Sequence, residues 1–195
     1  MAMNQFFKNR RTFIKSSAAS LLLPSALFAA KHNYGIVNQQ APELEISQWI
    51  DPQGKPTTFK LSDHKGKFVF MEFWQSWCPG CHSHGFPGLK KISDAFNHNE
   101  HFTAIAIQTT FEGFATNTPD KMREIQKQYD LNIVMGHDAG DEKKGGHPKT
   151  MVNYRSGGTP WAVLISPEGQ VIYNDFSIKP ESAISFLKDE IDKLA

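Results

Sequence analysis

From residue 41 onward, apolar and polar positions alternate in short blocks that predict a succession of strands and helices. Phe68 to Trp74 is an apolar run interrupted only by Glu72. A strand with one wet face alternates in polarity, so an unbroken run of this length predicts a strand buried on both faces. Phe102 to Gln108 predicts a second strand of the same kind. Between them Leu89, Ile92 and Phe96 recur at helical spacing and predict a helix over 79–97. Thr118-Pro119-Asp120 opens another helix, with Met122, Ile125 and Tyr129 on one face and proline near its first position. Asn132 to Met135 predicts a short strand, and the polar, glycine-rich stretch His137 to His147 a loop. Trp161 to Ile165 and Gln170 to Asn174 flank Ser166-Pro167-Glu168-Gly169 and predict a hairpin; Ile184, Leu187, Ile191 and Leu194 mark a closing amphipathic helix. Nearer the N-terminus, Leu44 to Ile50, the turn Asp51-Pro52-Gln53-Gly54 and Thr57 to Leu61 predict another hairpin. The expected class is α/β: a mixed central sheet with helices on both faces and an N-terminal β-hairpin extension.

Residues 1–30 follow a different pattern. A basic stretch around Arg10-Arg11 precedes a mildly apolar segment, Ala18 to Ala30, that ends in small residues. That is the layout of an export signal peptide. The adjacent arginines with Thr12-Phe13-Ile14-Lys15 resemble the twin-arginine (Tat) signal, which implies delivery of an already folded protein to the bacterial periplasm. The apolar segment falls short of the ~20 residues that span a bilayer. Phe28-Ala29-Ala30 is the expected cleavage region, and its bulky Phe28 leaves membrane tethering through an uncleaved signal open. The expected division is therefore an export signal over 1–30, a polar linker over 31–40 and one domain over 41–195. Without the signal the chain carries 17 basic against 20 acidic residues, a net charge of −3 that points to no nucleic acid partner.

The chain has two cysteines, both in Trp77-Cys78-Pro79-Gly80-Cys81, directly after the first apolar run. A disulfide between them closes too small a loop to restrain an unfolded chain usefully, because that effect grows with loop length. The pair suits switching between dithiol and disulfide. Disulfide exchange needs one thiolate that attacks and a second that resolves the mixed disulfide. A strand handing over to a helix at Trp77 puts Cys78 at the helix N-terminus, where free amides and the helix dipole stabilise a thiolate. Pro79 starts the helix without a wasted donor. Cys81, one turn further in, is expected to be more buried and to act second.

Met71-Glu72-Phe73-Trp74-Gln75-Ser76-Trp77-Cys78-Pro79-Gly80-Cys81 resembles the active-site strand and loop of the thioredoxin superfamily. Gly157-Gly158-Thr159-Pro160, entering Trp161 to Ile165, resembles that family's cis-proline loop. With Ala41-Pro42-Glu43-Leu44 and Ser166-Pro167-Glu168-Gly169, the chain from about residue 41 to 195 is similar to exported TlpA-like thiol-disulfide oxidoreductases. The resemblance implies a thioredoxin-like fold. It further implies Cys78 as nucleophile and Cys81 as resolving thiol, together the redox-active disulfide. Pro160 is then the cis proline, and Thr159 the residue whose backbone meets a bound substrate beside Trp77. Glu72, six residues before Cys78, matches the buried acid that moves protons for the second cysteine, and burial among Phe70, Phe73 and Trp74 is expected to raise its pKa. No cofactor and no metal is implied. The implied partners are exported cysteine-containing proteins and a membrane redox protein that resets the pair. The resemblance favours a reductase. One departure stands out: His82-Ser83-His84-Gly85-Phe86-Pro87 has one residue more before its proline than the TlpA-like pattern, and lacks that pattern's glutamate.

Other readings compete. Cys78-Pro79-Gly80-Cys81-His82 also spells the c-type haem attachment pattern, but it follows a buried strand. A thioredoxin-fold peroxidase requires Thr three residues before its reactive cysteine, where Gln75 stands. A metal-binding carrier would use the cysteine pair with His82 and His84, although zinc sites usually collect two spaced pairs. Trp74 and Trp77 are expected to wall the cysteines, Lys143-Lys144 to be solvated surface, and Phe111 to Asn117 to border the substrate groove.

Overall fold

A computed structural model of the chain describes residues 34–194. The export signal expected over 1–30 lies outside them. The described residues form a sheet of seven strands in the order β2-β1-β5-β4-β3-β6-β7. The strands are β1 (Gln48–Ile50), β2 (Pro56–Thr57), β3 (Phe68–Trp74), β4 (Phe102–Thr110), β5 (Val134–Ala139), β6 (Trp161–Ile165) and β7 (Val171–Asp175). Helices are α1 (Phe86–Ala95), α2 (Pro119–Gln128), α3 (Lys149–Asn153) and α4 (Pro180–Ile191). This is a thioredoxin-like α/β fold, with the β1–β2 hairpin added at one edge.

The apolar run of β3 is explained by its place. It pairs in parallel with β4 from Phe68↔Phe102 to Trp74↔Gln108 and antiparallel with β6, and all seven of its residues are buried. Phe68, Phe70 and Trp74 face a core with Leu89 and Ile92 of α1, Met122 and Ile125 of α2, and Leu187 of α4. Val69, Met71 and Phe73 face a second core with Ile105, Ile107, Trp161 and Tyr154. The helices are therefore unevenly shared: three lie on the first face, and the second is covered by α3 and by the chain around β1.

Some boundaries differ from expectation for local physical reasons. β5 begins two residues later than expected and continues through His137 and Asp138, whose polarity predicts a loop. Both are polar yet partnered: His137 Nδ1 lies 2.8 Å from Gln108 Oε1, and Asp138 Oδ2 accepts the Met151 N–H at 3.2 Å. The N-terminal hairpin is shorter than its apolar pattern, because Leu61 and Ser62 turn away to donate their amides to the Glu43 carboxylate. Residues 34–40, expected as a polar linker, lie along β7 instead. Asn38 N donates to Val171 O at 2.9 Å, Val171 N donates to Gln39 O at 2.9 Å, and Ile36 is buried.

The helix expected over 79–97 forms with an irregular start. Cys81–Gly85 is a π-helical turn closed by the Phe86 amide on the Cys81 carbonyl, five residues back, and it runs straight into α1. A π turn takes up one surplus residue while leaving both flanks in helical register. The extra residue before Pro87 is housed there.

Candidate functional site

β3 delivers the site. Its last residue, Trp74, is fully buried with its ring edge-on to Phe86 at 5.2 Å, in the same core as both cysteines. The chain turns through Gln75 and Ser76 and enters the helix at Cys78. Cys78 is 4% exposed and Cys81 0%, and both are free thiols. The Cys81 amide donates to Cys78 Sγ at 3.2 Å, and the Cys78 thiol donates to the Thr159 carbonyl at 3.4 Å. The outer sulfur is thus held between a helix-start amide and the backbone that precedes Pro160. The Thr159–Pro160 bond is cis, as the resemblance implied.

Two glycines allow the groups to converge. A Cβ on Gly80 would lie 2.9 Å from Pro160 Cδ and 3.9 Å from Cys78 Sγ. On Gly85 it would lie 2.9 Å from Glu72 Oε1, 3.1 Å from Pro160 Cβ and 3.8 Å from Cys81 Cβ. Glu72, Pro160 and Cys81 therefore meet around one missing side chain. Glu72 is 4% exposed, and burial pushes its carboxyl up to about 8. It accepts no hydrogen bond among the described residues. Beyond it opens a pocket of about 510 Å³ lined by Phe70, His84, Gly85, Leu89 and Ile178. Burial, with the neighbouring Cys78 adding to it, pushes the Cys81 thiol up as well. A buried carboxyl and a buried thiol that both resist ionisation can exchange a proton at little cost in charge separation.

The remaining expected site residues divide. Trp77 does not wall the cysteines with Trp74: it is 46% exposed, its indole N–H donating to Gln75 Oε1 at 2.9 Å beside Gly113. It forms surface next to Cys78. His82 is partnered at both nitrogens, with Ser76 O at 2.7 Å and Tyr129 Oη at 2.6 Å. A metal or haem iron would have to break one of these bonds. Among the described residues no group of three or more His, Cys, Asp or Glu is arranged to hold a metal ion. His84 Nδ1 lies 2.7 Å from Ser83 Oγ at the pocket rim.

Asn117, Tyr129 and Gln75 are the neighbours that sequence reasoning did not single out as site residues. Asn117 is 2% exposed and its carboxamide meets Ser76 N at 2.7 Å and Gln75 Oε1 at 2.9 Å. It ends the loop expected to border a substrate groove, and through it that loop braces the segment leading to Cys78.

Residues 37–174 match the family model described as AhpC/TSA. The chain belongs to the AhpC/TSA family. A thiol-disulfide oxidoreductase ResA of Oceanobacillus iheyensis is 26% identical over 175 residues, covering 86% of this chain and 83% of the relative. The Bacillus subtilis protein of the same name is 27% identical, covering 85% and 84%. Among solved structures, a thioredoxin-like superfamily protein shares 32% identity at a TM-score of 0.67, over 80% of this chain and 95% of that one. A thiol-disulfide isomerase from Corynebacterium glutamicum shares 25% identity at a TM-score of 0.66, over 76% and 95%. With its two free thiols paired at the helix start, the chain is a thiol-disulfide oxidoreductase of the thioredoxin superfamily.

Proposed function

We propose that the protein is an exported, periplasmic thiol-disulfide reductase in which Cys78 attacks and Cys81 resolves. The observation that carries this reading is the stacking of Cys78 between the Cys81 amide and the Thr159 carbonyl, with Glu72 behind Cys81. The Cys78 thiolate attacks one sulfur of a substrate disulfide. The S–S bond breaks, and the leaving sulfur departs as a thiolate that takes a proton from water. Cys81 then passes its proton to the Glu72 carboxylate and attacks Cys78 Sγ, closing the protein disulfide; the second substrate sulfur leaves as a thiolate and takes up the proton that Glu72 gives back. The substrate gains two electrons and two protons: the cysteine pair gives both electrons and the Cys81 proton, and water gives the other proton.

Trp77, Thr159 and Pro160 form the face that meets the substrate, an exported cysteine-containing protein. A membrane redox partner supplies a dithiol that reduces the Cys78–Cys81 disulfide again. Export rests on Arg10-Arg11-Thr12-Phe13-Ile14-Lys15 and the apolar segment behind it. The reductase direction rests on the similarity to TlpA-like proteins. No helix among the described residues is long and apolar enough to cross a membrane. A peroxidase reading is weaker, because Gln75 is buried with its carboxamide oxygen already committed to Trp77 and Asn117.

The test is a pair of trapping variants in cells. Cys81→Ser is expected to accumulate mixed disulfides with exported proteins through Cys78, and Cys78→Ser to accumulate none. Equal trapping by both variants would overturn the assignment. Replacing Arg10 and Arg11 by Lys should leave the protein in the cytoplasm; continued export would remove the twin-arginine route.

A further inference from the structure

Ser76 joins β3 to the reactive turn, and each of its polar groups is engaged. Its N–H donates to Asn117 Oδ1 at 2.7 Å. Its hydroxyl lies 2.8 Å from the Thr116 carbonyl and 2.9 Å from Asn117 Oδ1. Its carbonyl meets His82 Nε2 at 2.7 Å. A carbonyl only accepts, so Nε2 carries the hydrogen; in the neutral ring Nδ1 then accepts from the Tyr129 hydroxyl at 2.6 Å.

Two consequences follow from where these partners stand. First, His82 is one residue beyond Cys81, and its ring reaches back to Ser76. The bond between Ser76 O and His82 Nε2 closes a ring of chain that contains Trp77, both cysteines and the two residues between them. Second, Asn117 stands just before α2 and Tyr129 just after it. Helix α2 therefore grips the reactive segment at both ends, through Asn117 at its start and through Tyr129 and His82 at its finish. The His82 ring is also packed edge-on against Phe86 at 5.4 Å and tilted against Tyr129 at 5.7 Å, which leaves it little freedom to swing out.

We propose that His82 is a positioning residue for the Cys78–Cys81 pair: with Tyr129 it closes the Ser76–His82 segment and ties it to the end of α2. His82 touches neither thiol's proton nor the substrate in this role. It sets where Cys78 points. Misplacement of a reacting atom by about 1 Å costs up to roughly a hundredfold in rate, so one restraining contact at this point has kinetic weight.

The test is the rate at which the reduced full-length protein is oxidised by glutathione disulfide, followed by tryptophan fluorescence. His82→Phe keeps an aromatic ring against Phe86 and Tyr129 but removes both hydrogen bonds, and is expected to slow oxidation about tenfold. His82→Gln, with a donating nitrogen and an accepting oxygen, is expected to return the rate to within about threefold of wild type. Tyr129→Phe, which leaves the Ser76 bond in place, should slow the reaction by only about threefold. A wild-type rate in His82→Phe overturns the proposal. So does a His82→Gln rate as slow as that of His82→Phe, because a donor and an acceptor put back at this position would then restore nothing. Should His82→Phe fail to fold, Tyr129→Phe decides alone: a slower rate supports the proposal and an unchanged rate overturns it. The proposal rests on Cys78 and Cys81 being the exchanging pair. Failure of that premise would appear as no reaction in the wild-type protein, a different result from an unchanged rate in the variants.

Discussion

The two sides of the reactive turn are built on opposite plans. Toward α2, the Ser76 backbone and hydroxyl are fully engaged by Asn117, Thr116 and His82. Toward the sheet, Glu72 is more deeply buried than the half-buried Ser76 yet accepts no hydrogen bond among the described residues, and its carboxyl borders an open pocket. The difference follows from the chemistry each side serves. A nucleophile must be held in place, and several directional bonds do that. A group that takes up and releases a proton must not be strongly committed to either state, and desolvation without a fixed partner keeps its two forms close in free energy near neutral pH.

This contrast can be broken from either side. The largest effect is expected at Glu72. Its carboxyl titrates near 4.5 when free and near 8 in the folded protein, so the folded chain binds the proton more tightly. The resulting stability is fully present below 4.5 and is lost as pH rises through 8. Glu72→Gln lacks that titration. Urea unfolding of the reduced proteins should show wild type losing roughly 5 kcal/mol relative to the variant across that window. A pH-independent difference would mean that Glu72 is ionised in the folded protein and that its isolation is not what sets its chemistry.

The next effect belongs to the other side. Asn117→Ala strips the Ser76 amide and Gln75 Oε1 of a buried partner, and is expected to cost about 2–3 kcal/mol. Its cost should be the same at each end of the pH window in which Glu72→Gln varies. A pH-dependent cost for Asn117→Ala would erase the distinction between the two sides. Smallest of all is Lys143→Ala, on an exposed stretch. Thermal unfolding should place it within about 0.5 kcal/mol of wild type.

The two plans also differ in how legible they were in sequence. The buried side announces itself: the β3 run, the cysteine pair and the proline after Thr159 are contiguous patterns, and Glu72 stands out as the one acid in an apolar strand. The hydrogen-bonded side gives almost no local sign. Asn117 lies 41 residues from Ser76 and Tyr129 lies 47 from His82, so their roles depend on α2 packing where it does. Tyr129 even read as an ordinary apolar position of a helix face. The surplus residue before Pro87 was visible, but its outcome, a π turn that keeps His82 pointing at Ser76, depends on tertiary restraint rather than propensity. β5 was placed early because His137 and Asp138 are polar, and only the fold shows that Gln108 and the Met151 amide receive them.

As proposed, Cys78 and Cys81 form a reversible redox pair that works as a reductase. Equilibration with glutathione buffers, read by tryptophan fluorescence, measures its potential directly. One reversible transition is expected near −270 mV, in the range of thioredoxin. A value near −120 mV would make the protein a disulfide donor and contradict the proposed direction. Absence of any reversible transition would contradict redox exchange at this pair altogether.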